Sequence, residues 1–483
     1  MFSLNHLLGG HFLLLIGKWW KSIIQILDEP VLLYSLMRII IAGAGEVGSH
    51  LAKMLVGENH DITLIDDNEK RLKSISSNLD ILSVFGSPTS ISVLADANVC
   101  KADLFIGVTP DESRNMTSCM LAKKLGAKKT VARVEELEYT EPANRAFFQT
   151  VGIDSIVYPE QLAAREINHL IEHPWARHWW DVQDGKLMIF GVKVRRGVPL
   201  LNRPLYEISG PDDPFHITAI KRGNETIIPH GSDCLIEDDL AFVMTTPENI
   251  EYVRNLMGKS KTPDAHCVFY MGGSDTVIHS INTLNPRIHV KLFESDANHF
   301  SAIQHAVKNK NMLMLNGDGR DIDLLKDENI ELSQVFVAAT KNSESNILAC
   351  MAAKRLGVPK IIAMVENTDY ISMAQQLDIG SIINKKNFAA GHIYRMLLRA
   401  DVESIKFLTI AQTDVVEFKV REHSRITRKE IKDLHLPESL NIGGYVRDGK
   451  GALANGSTKF QPGDIVVAFI KKGEIKKLEK FFK

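Results

Sequence analysis

The stretch Arg38-Ile-Ile-Ile-Ala-Gly43-Ala-Gly45-Glu-Val-Gly48 decides how the rest of the chain is read. An apolar run enters a G-x-G-x-x-G turn, and beyond it Val47, Leu51, Met54 and Leu55 recur at the spacing of one helix face. The glycine pattern says little by itself. Its context says more: a strand before it, a helix after it, and a second strand, Ile62-Thr-Leu-Ile65, ending in Asp66 at the distance expected of a dinucleotide-binding βαβ unit. In such a unit Gly43 permits the tight turn, Gly45 lets a pyrophosphate approach the backbone, and Gly48 lets the helix pack closely. The amides at the helix start attract the anion. Asp66 is expected to accept both ribose hydroxyls. Asp67 and Glu69 beside it repel a 2′-phosphate and favour NAD over NADP, while Arg71 works in the opposite direction. The competing reading is a doubly wound domain that keeps its glycines only for packing.

Farther along, Leu104-Phe-Ile-Gly-Val108 reads as a buried strand leading into Thr109-Pro-Asp-Glu112. Thr109 as N-cap, Pro110 at N1 and Glu112 at N3 spell a capping box. The same turn lies at the carboxyl end of a strand beside the first, where open α/β sheets bind ligands. Gly86 ends the preceding strand on that rim. Arg133, which ends Thr130-Val-Ala-Arg-Val134, is a candidate to reach a phosphate.

The chain is duplicated. Ile106–Gly126 aligns with Val337–Gly357, and Thr, Asn, Cys, Met, Ala, Lys, Leu and Gly coincide within the two segments. Gly43 pairs with Gly272, Asp66 with Glu294 and Ile153 with Ile379. The second glycine loop, Gly272-Gly-Ser-Asp-Thr-Val277, keeps only the first glycine in register. Glu294 retains a ribose-binding carboxylate, Gly317-Asp-Gly319 is a better loop than Gly86-Ser-Pro, and Met364 stands where Arg133 would be.

Strands and helices alternate from Met37 to about Tyr158 and again from His266 to about Ile383, the rhythm of a parallel sheet. Each run is followed by a helical stretch, Gln161–His173 and Phe388–Asp401. Short strands broken by Gly, Pro, Asn and Asp turns then follow, such as Leu187–Val194 with Leu240–Met244, and Val415–Val420 with Ile465–Ile470. Gly258-Lys-Ser-Lys-Thr-Pro263 is the linker between halves. The organisation expected is therefore an apolar extension over 1–36, a Rossmann-like doubly wound parallel-sheet domain over 37–160, and a linker helix with a small α+β domain over 161–262. A second Rossmann-like domain covers 263–386, and a second helix with small α+β domain covers 387–483.

Composition sets the bounds. At 483 residues the chain accommodates roughly three domains of about 150 residues, with four reasonable. Hydrophobic residues at 45% and charged residues at 24% are ordinary for a globular protein and exclude a multi-span membrane protein. A net charge of -2 supplies no global field for nucleic acid. Five scattered cysteines without a C-x-x-C pair argue against disulfides or structural zinc and for a reducing compartment. Residues 1–36 are rich in Leu, Ile and Trp, but their longest uncharged apolar run is far shorter than a membrane span. Two readings survive: an interfacial amphipathic segment anchored by Lys18, Trp19, Trp20 and Lys21, or a non-native extension before a start at Met37. The second is the expectation.

A dehydrogenase needs an acid/base group and a substrate pocket beside its cofactor. Neither is legible. His169, His173 and His178 are interrupted by Pro174, and Cys119 and Cys350 sit at matching places in an Ala/Met/Leu-rich helix as core residues. No Walker, G-x-S-x-G or H-E-x-x-H pattern occurs.

Met37-Arg-Ile-Ile-Ile-Ala-Gly-Ala-Gly-Glu-Val-Gly, Leu64-Ile-Asp66, Val108-Thr-Pro-Asp-Glu-Ser-Arg-Asn115 and Ala132-Arg-Val134, doubled and followed each time by a small domain, resemble one family over residues 37–483. It is the peripheral-subunit family of Trk potassium-uptake systems (TrkA), double regulator-of-potassium-conductance (RCK) proteins with N, C, N, C domain order. The resemblance implies two RCK-N domains, each followed by an RCK-C (TrkA-C) domain, in a non-enzymatic cytoplasmic subunit peripheral to the inner face of the membrane. It implies a homo-oligomeric ring, expected to be a tetramer, beneath an integral potassium-translocating subunit of the Trk type. NAD+ or NADH, with ATP or ADP, would serve as signals that gate transport. Carried over by position, Gly43, Ala44, Gly45, Glu46 and Val47 hold the dinucleotide, Asp66 the ribose, and Thr109 with Arg133 complete the rim. Ser87 stands where the family often has an acidic residue. The rival class is a soluble NAD-dependent oxidoreductase, which predicts NADH consumption; a single-strand or RNA-binding module lacks both basic bias and aromatic platforms.

Overall fold

The computed structural model describes residues 37–57, 60–208, 210, 213–223, 225–395, 402–408, 413–471 and 474–482. The readings for residues 1–36, and for the end of the helix expected to reach Asp401, lie outside the described residues.

From Met37 the chain builds β1 (Arg38–Ala42), β2 (Asp61–Asp66), β3 (Leu82–Phe85), β4 (Leu104–Gly107), β5 (Lys129–Arg133) and β6 (Ser155–Val157). They pair in parallel in the order β3-β2-β1-β4-β5-β6. Successive connections leave in opposite directions from β1 and β4, and the crevice of a doubly wound sheet opens there, beyond the strands' carboxyl ends. Ile39, Ile40, Ile41, Phe105 and Ile106 are fully buried, as strands covered on both faces require.

A helix, Pro159–Glu172, leads to an antiparallel sheet of β7 (His178–Val182), β8 (Leu187–Lys193), β9 (Phe215–Arg222), β10 (Glu225–Ile227) and β11 (Leu240–Thr245). Its order is β10-β9-β11-β8-β7. The second half repeats both sheets. β12 (Cys267–Met271), β13 (His289–Glu294), β14 (Met312–Asn316), β15 (Val335–Ala338), β16 (Lys360–Met364) and β17 (Ser381–Ile383) are ordered β14-β13-β12-β15-β16-β17. After the helix Lys385–Arg395, β18 (Val402–Leu408), β19 (Thr413–Lys419), β20 (Leu440–Arg447), β21 (Lys450–Leu453) and β22 (Ile465–Lys471) are ordered β18-β19-β22-β20-β21. Read from the other edge, this is the order of the first small sheet. An ion pair on a buried carboxylate marks the same place in each: Arg222 with Asp239 at 2.9 Å and Arg447 with Asp464 at 2.7 Å.

The two halves exchange helices. Pro159–Glu172 packs on Asp275–Thr283 of the second half, and Lys385–Arg395 packs on Glu46–Val56 of the first. At the first junction Asn168 donates to the Ser280 carbonyl at 3.0 Å and to Thr283 Oγ1 at 2.9 Å. At the second, His50 Nε2 lies 2.9 Å from Asn387 Oδ1. One apolar cluster runs from Ile167 and Ile171 through the first antiparallel sheet to Val268, Tyr270 and Ile281. Another joins Ile39, Ile41 and Leu51 to Ala389, Ile393 and the second antiparallel sheet. Each fully buried Leu or Ile contributes roughly 1.5–3 kcal/mol, so both cores depend on residues from both halves.

Candidate functional site

The first crevice is shaped by three glycines with different reasons to be glycine. Gly43 has φ +117°, a conformation that side chains resist, and a Cβ there would stand 2.9 Å from Thr109 N. A Cβ on Gly48 would lie 1.8 Å from the Gly43 carbonyl oxygen. The chain itself demands both. Gly45 differs: its backbone is extended, at φ -70° and ψ -169°, and no heavy atom lies within 4 Å of a Cβ built on it. It caps the helix Glu46–Val56 without a side-chain hydrogen bond to the first-turn amides.

Asp66 is buried at 7% exposure. One carboxylate oxygen accepts the Ala44 N–H at 2.6 Å, and the other accepts the Asn68 N–H at 2.8 Å. Besides the ribose role expected of it, this group ties the glycine loop to the end of β2. A carboxylate has about four lone-pair sites, so both duties are compatible. Gly86, at φ +144°, donates its N–H to the Asp66 carbonyl at 3.0 Å, and a Cβ there would strike Val93. Val47 packs against the apolar core. Glu46 turns to the other half, 2.9 Å from Lys386 Nζ.

Thr109 is not the helix cap expected. The helix spans Glu112–Leu125 and is capped by Asp111, which accepts the Arg114 N–H at 3.1 Å. The Thr109 N–H and hydroxyl instead both donate to Asn115 Oδ1, each at 2.7 Å. Asn115 Nδ2 in turn donates to the carbonyls of Thr109 at 2.9 Å and Arg133 at 3.0 Å. Buried at 1% exposure, Asn115 locks the turns after β4 and β5 together. Glu112, expected at N3 of the box, accepts the Glu135 and Glu136 amides at 2.8 and 3.1 Å. Arg133 lies 2.9 Å from Glu135 and 3.8 Å from Glu160, and Lys385 bridges Glu160 to Glu366 at 3.2 and 3.4 Å. Its guanidinium therefore belongs to a charge network joining the halves. The cation beside Gly86 is Arg114, a residue to which no sequence motif assigns a role: it lies 2.6 Å from Asp67 and 3.1 Å from Ser87 Oγ.

The second crevice copies the frame and alters the rim. Gly272 has φ +92°, and Glu294 accepts the Gly273 and Asp296 amides, each at 2.8 Å. Asn346 holds Thr340 as Asn115 holds Thr109, at 3.0 Å from the amide and 2.7 Å from the hydroxyl. Ser274 occupies the place of Gly45 and donates to the Ala339 carbonyl at 2.8 Å, while Val277, in the place of Gly48, is fully buried. The rim cation comes from the loop: Arg320 pairs with Asp318 at 2.7 Å and donates to Ser345 Oγ at 3.3 Å, with Ser345 standing where Arg114 stands in the first copy. That arginine holds the Asp318 carboxyl below its ordinary value. A cavity of about 290 Å³ lies among Gly272, Ser274, Glu294, Asp318 and Arg320.

The nucleophile and histidine candidates are packed away. Burial pushes the Cys119 thiol up to about 12, and also raises that of Cys350. His173 ends its helix and stacks on Trp179 with ring centroids 3.5 Å apart, and burial lowers it to about 4. Among the described residues no group of His, Cys, Asp and Glu is placed to hold a metal, and no helix is long and apolar enough to cross a membrane.

Comparison with known proteins follows the duplication. The TrkA-N domain model matches residues 39–159 and 268–385, and the TrkA-C domain model matches 189–258 and 415–483. A Trk system potassium uptake protein TrkA homolog of Archaeoglobus fulgidus is 30% identical over 449 residues, covering 92% of this chain and 100% of the relative. The Trk system potassium uptake protein TrkA of Haemophilus influenzae is 30% identical over 458 residues, covering 92% and 98%. Among solved structures, the GsuK RCK domain aligns with a TM-score of 0.58 at 15% identity, covering 93% of this chain and 95% of that one. The GsuK channel bound to NAD aligns with the same TM-score of 0.58 at 16% identity, covering 97% and 84%. With two parallel and two antiparallel sheets in alternation and relatives that match from end to end, the chain belongs to the TrkA family of Trk-type potassium uptake proteins.

Proposed function

We propose that the chain is the nucleotide-sensing regulatory subunit of a Trk-type potassium uptake system, with NAD+ or NADH bound at the first crevice. The observation that carries this reading is the open space beside Gly45. A fold that kept its glycines for packing accounts for Gly43 and Gly48 but not for a third whose Cβ would touch nothing. A pyrophosphate against the uncapped amides of Glu46–Val56 does account for it. Ala44, Gly45, Glu46 and Val47 would hold the dinucleotide, Asp66 the ribose, and Thr109, locked by Asn115, would shape the rim. Arg133 takes a bridging part, and Gly272 with Glu294 offers a second, altered crevice for adenine nucleotide. A structural neighbour solved with NAD supports the ligand class.

The role is regulatory because the same loop is coupled to the other half. The helix that starts at Glu46 packs on Lys385–Arg395, and Glu46 itself pairs with Lys386. A ligand shifts a conformational equilibrium only by its difference in affinity for the two states, typically about 1–3 kcal/mol. Nucleotide would change the angle between halves in a cytoplasmic ring of these chains, expected to be tetrameric, and the ring would pull on a membrane potassium-translocating subunit.

Titration calorimetry with NADH, NAD+, ATP and ADP tests this, using the full chain and its Gly45→Val variant. Binding without turnover in the parent, and its loss in a variant that still folds, is the expected outcome. Steady NADH oxidation, or potassium uptake indifferent to deletion of the chain, would overturn the proposal.

A further inference from the structure

A third cleft lies away from both crevices, between the first antiparallel sheet and the second parallel-sheet domain. It encloses about 430 Å³ between β8, β9 and the helix Thr368–Gln376. Arg177, Lys193, Arg195 and Lys221 line it together with Asp238 and Asp378. The guanidinia are committed to holding the domains together: Arg177 meets Asp378 at 2.9 Å, and Arg195 meets Asp238 at 2.5 Å and Asp378 at 2.6 Å. The lysines are differently placed. Lys193 Nζ donates to the Asp238 carbonyl at 2.5 Å and stands 3.7 Å from the Asp238 carboxylate, while Lys221 Nζ donates to the neutral Gln375 amide at 2.7 Å. Burial and then the charge of Lys193 lower the Lys221 ammonium.

The duplication isolates the unusual residue. The Arg222–Asp239 pair matches Arg447–Asp464, so Lys221 corresponds to Val446, which is 6% exposed in the second small sheet. Val446 packs in an apolar cluster, whereas Lys221 turns to the cleft and reaches Gln375 across it, so the sheet itself does not call for the ammonium.

We propose that this cleft binds a compact phosphate anion, inorganic phosphate or pyrophosphate, with Lys193 and Lys221 as its cationic ligands. Four cations against two carboxylates leave a net positive charge that a phosphate or pyrophosphate anion offsets. Ser372, Gln375 and Gln376 offer hydrogen bonds, and among the described residues no Phe, Tyr or Trp lines the cleft to stack a base. An anion there would add bonds between β9 and the helix Thr368–Gln376, and so set how the first small sheet sits on the second nucleotide-type domain.

Calorimetry of the full chain with sodium pyrophosphate and with sodium phosphate is the test. In a Gly45→Val background, where the first crevice no longer admits a pyrophosphate, Lys221→Val, which copies the second sheet, is expected to weaken pyrophosphate at least tenfold. Equal pyrophosphate affinity with and without Lys221→Val, or loss of binding in Gly45→Val alone, would overturn the proposal. Amine acylation of the unmutated chain, read by mass spectrometry, gives an answer free of folding effects. Pyrophosphate protects Lys193 and Lys221 if the site is real, and unchanged labelling of both refutes it. ADP in the same acylation assay separates the sources: protection of Lys193 and Lys221 at concentrations no lower than those of pyrophosphate is expected, and protection at a tenfold lower concentration would overturn the proposal by showing that a nucleoside is read.

Discussion

The two crevices of one chain agree where the backbone needs them to and differ where a ligand would touch. Gly43 and Gly272 share the left-handed turn, Asp66 and Glu294 grip the same pair of loop amides, and Asn115 and Asn346 make the same lock. Against this constant frame, Gly45 has become Ser274, Gly48 has become Val277, and the rim arginine has moved from the helix at Arg114 to the loop at Arg320. Resemblance between the copies therefore reports on folding, and divergence reports on what is bound.

The largest effect should come from the shared frame. Asn115→Ala leaves the Thr109 amide and the Thr109 and Arg133 carbonyls without their side-chain partner, and should cost about 3 kcal/mol; Asn346→Ala should cost the same. Urea unfolding checks both, and a clear inequality would break the claim that the locks are equivalent. Next is Gly45→Val, which should lower NADH affinity about a hundredfold, or about 2.7 kcal/mol, with the melting temperature held. Ser274→Gly should leave that affinity unchanged. A melting temperature that falls with Gly45→Val would mean the space beside it is not free.

Acid separates the halves more gently. His173 is neutral when folded, since burial lowers it to about 4, and takes a proton near 6.5 when unfolded. Its contribution is complete above pH 6.5 and is lost as pH falls from there towards 4, by of order 2 kcal/mol. His173→Phe, which can keep the stack on Trp179, should flatten the pH dependence of the urea midpoint in that window. The smallest change is expected from Arg114→Ala, roughly a tenfold loss of NADH affinity at the first crevice. Arg320→Ala should not alter that crevice, and an equal loss would show that the calorimetric signal arises at the second.

Much of this frame was legible in the residues. The alternation of apolar runs and helical faces, and the spacing from Gly43 to Asp66, are local signals, and the parallel sheets with their crevices follow from them. Thr109 misled because Thr-Pro-Asp-Glu contains two capping side chains. Burial of Asn115 claims the threonine hydroxyl and leaves the cap to Asp111. The signal for that asparagine was present as its recurrence at Asn346, but a repeat marks a position without naming its partner. Arg114 and Arg320 were harder, since neither occupies the other's place and only the folded rim brings each to the same region. The exchange of Pro159–Glu172 and Lys385–Arg395 left no local trace, because an amphipathic helix carries no record of which surface it covers.

That exchange has a consequence for the polypeptide's ancestry and handling. A gene encoding only one half would yield a product with an orphan arm and an empty socket, each fitting a twin molecule. Nicked within 258–263, the present protein should elute as one particle through gel filtration and separate only in denaturant. The fused form makes a self-embracing pair obligatory, fixing a one-to-one ratio between two sensors that are then at liberty to drift apart.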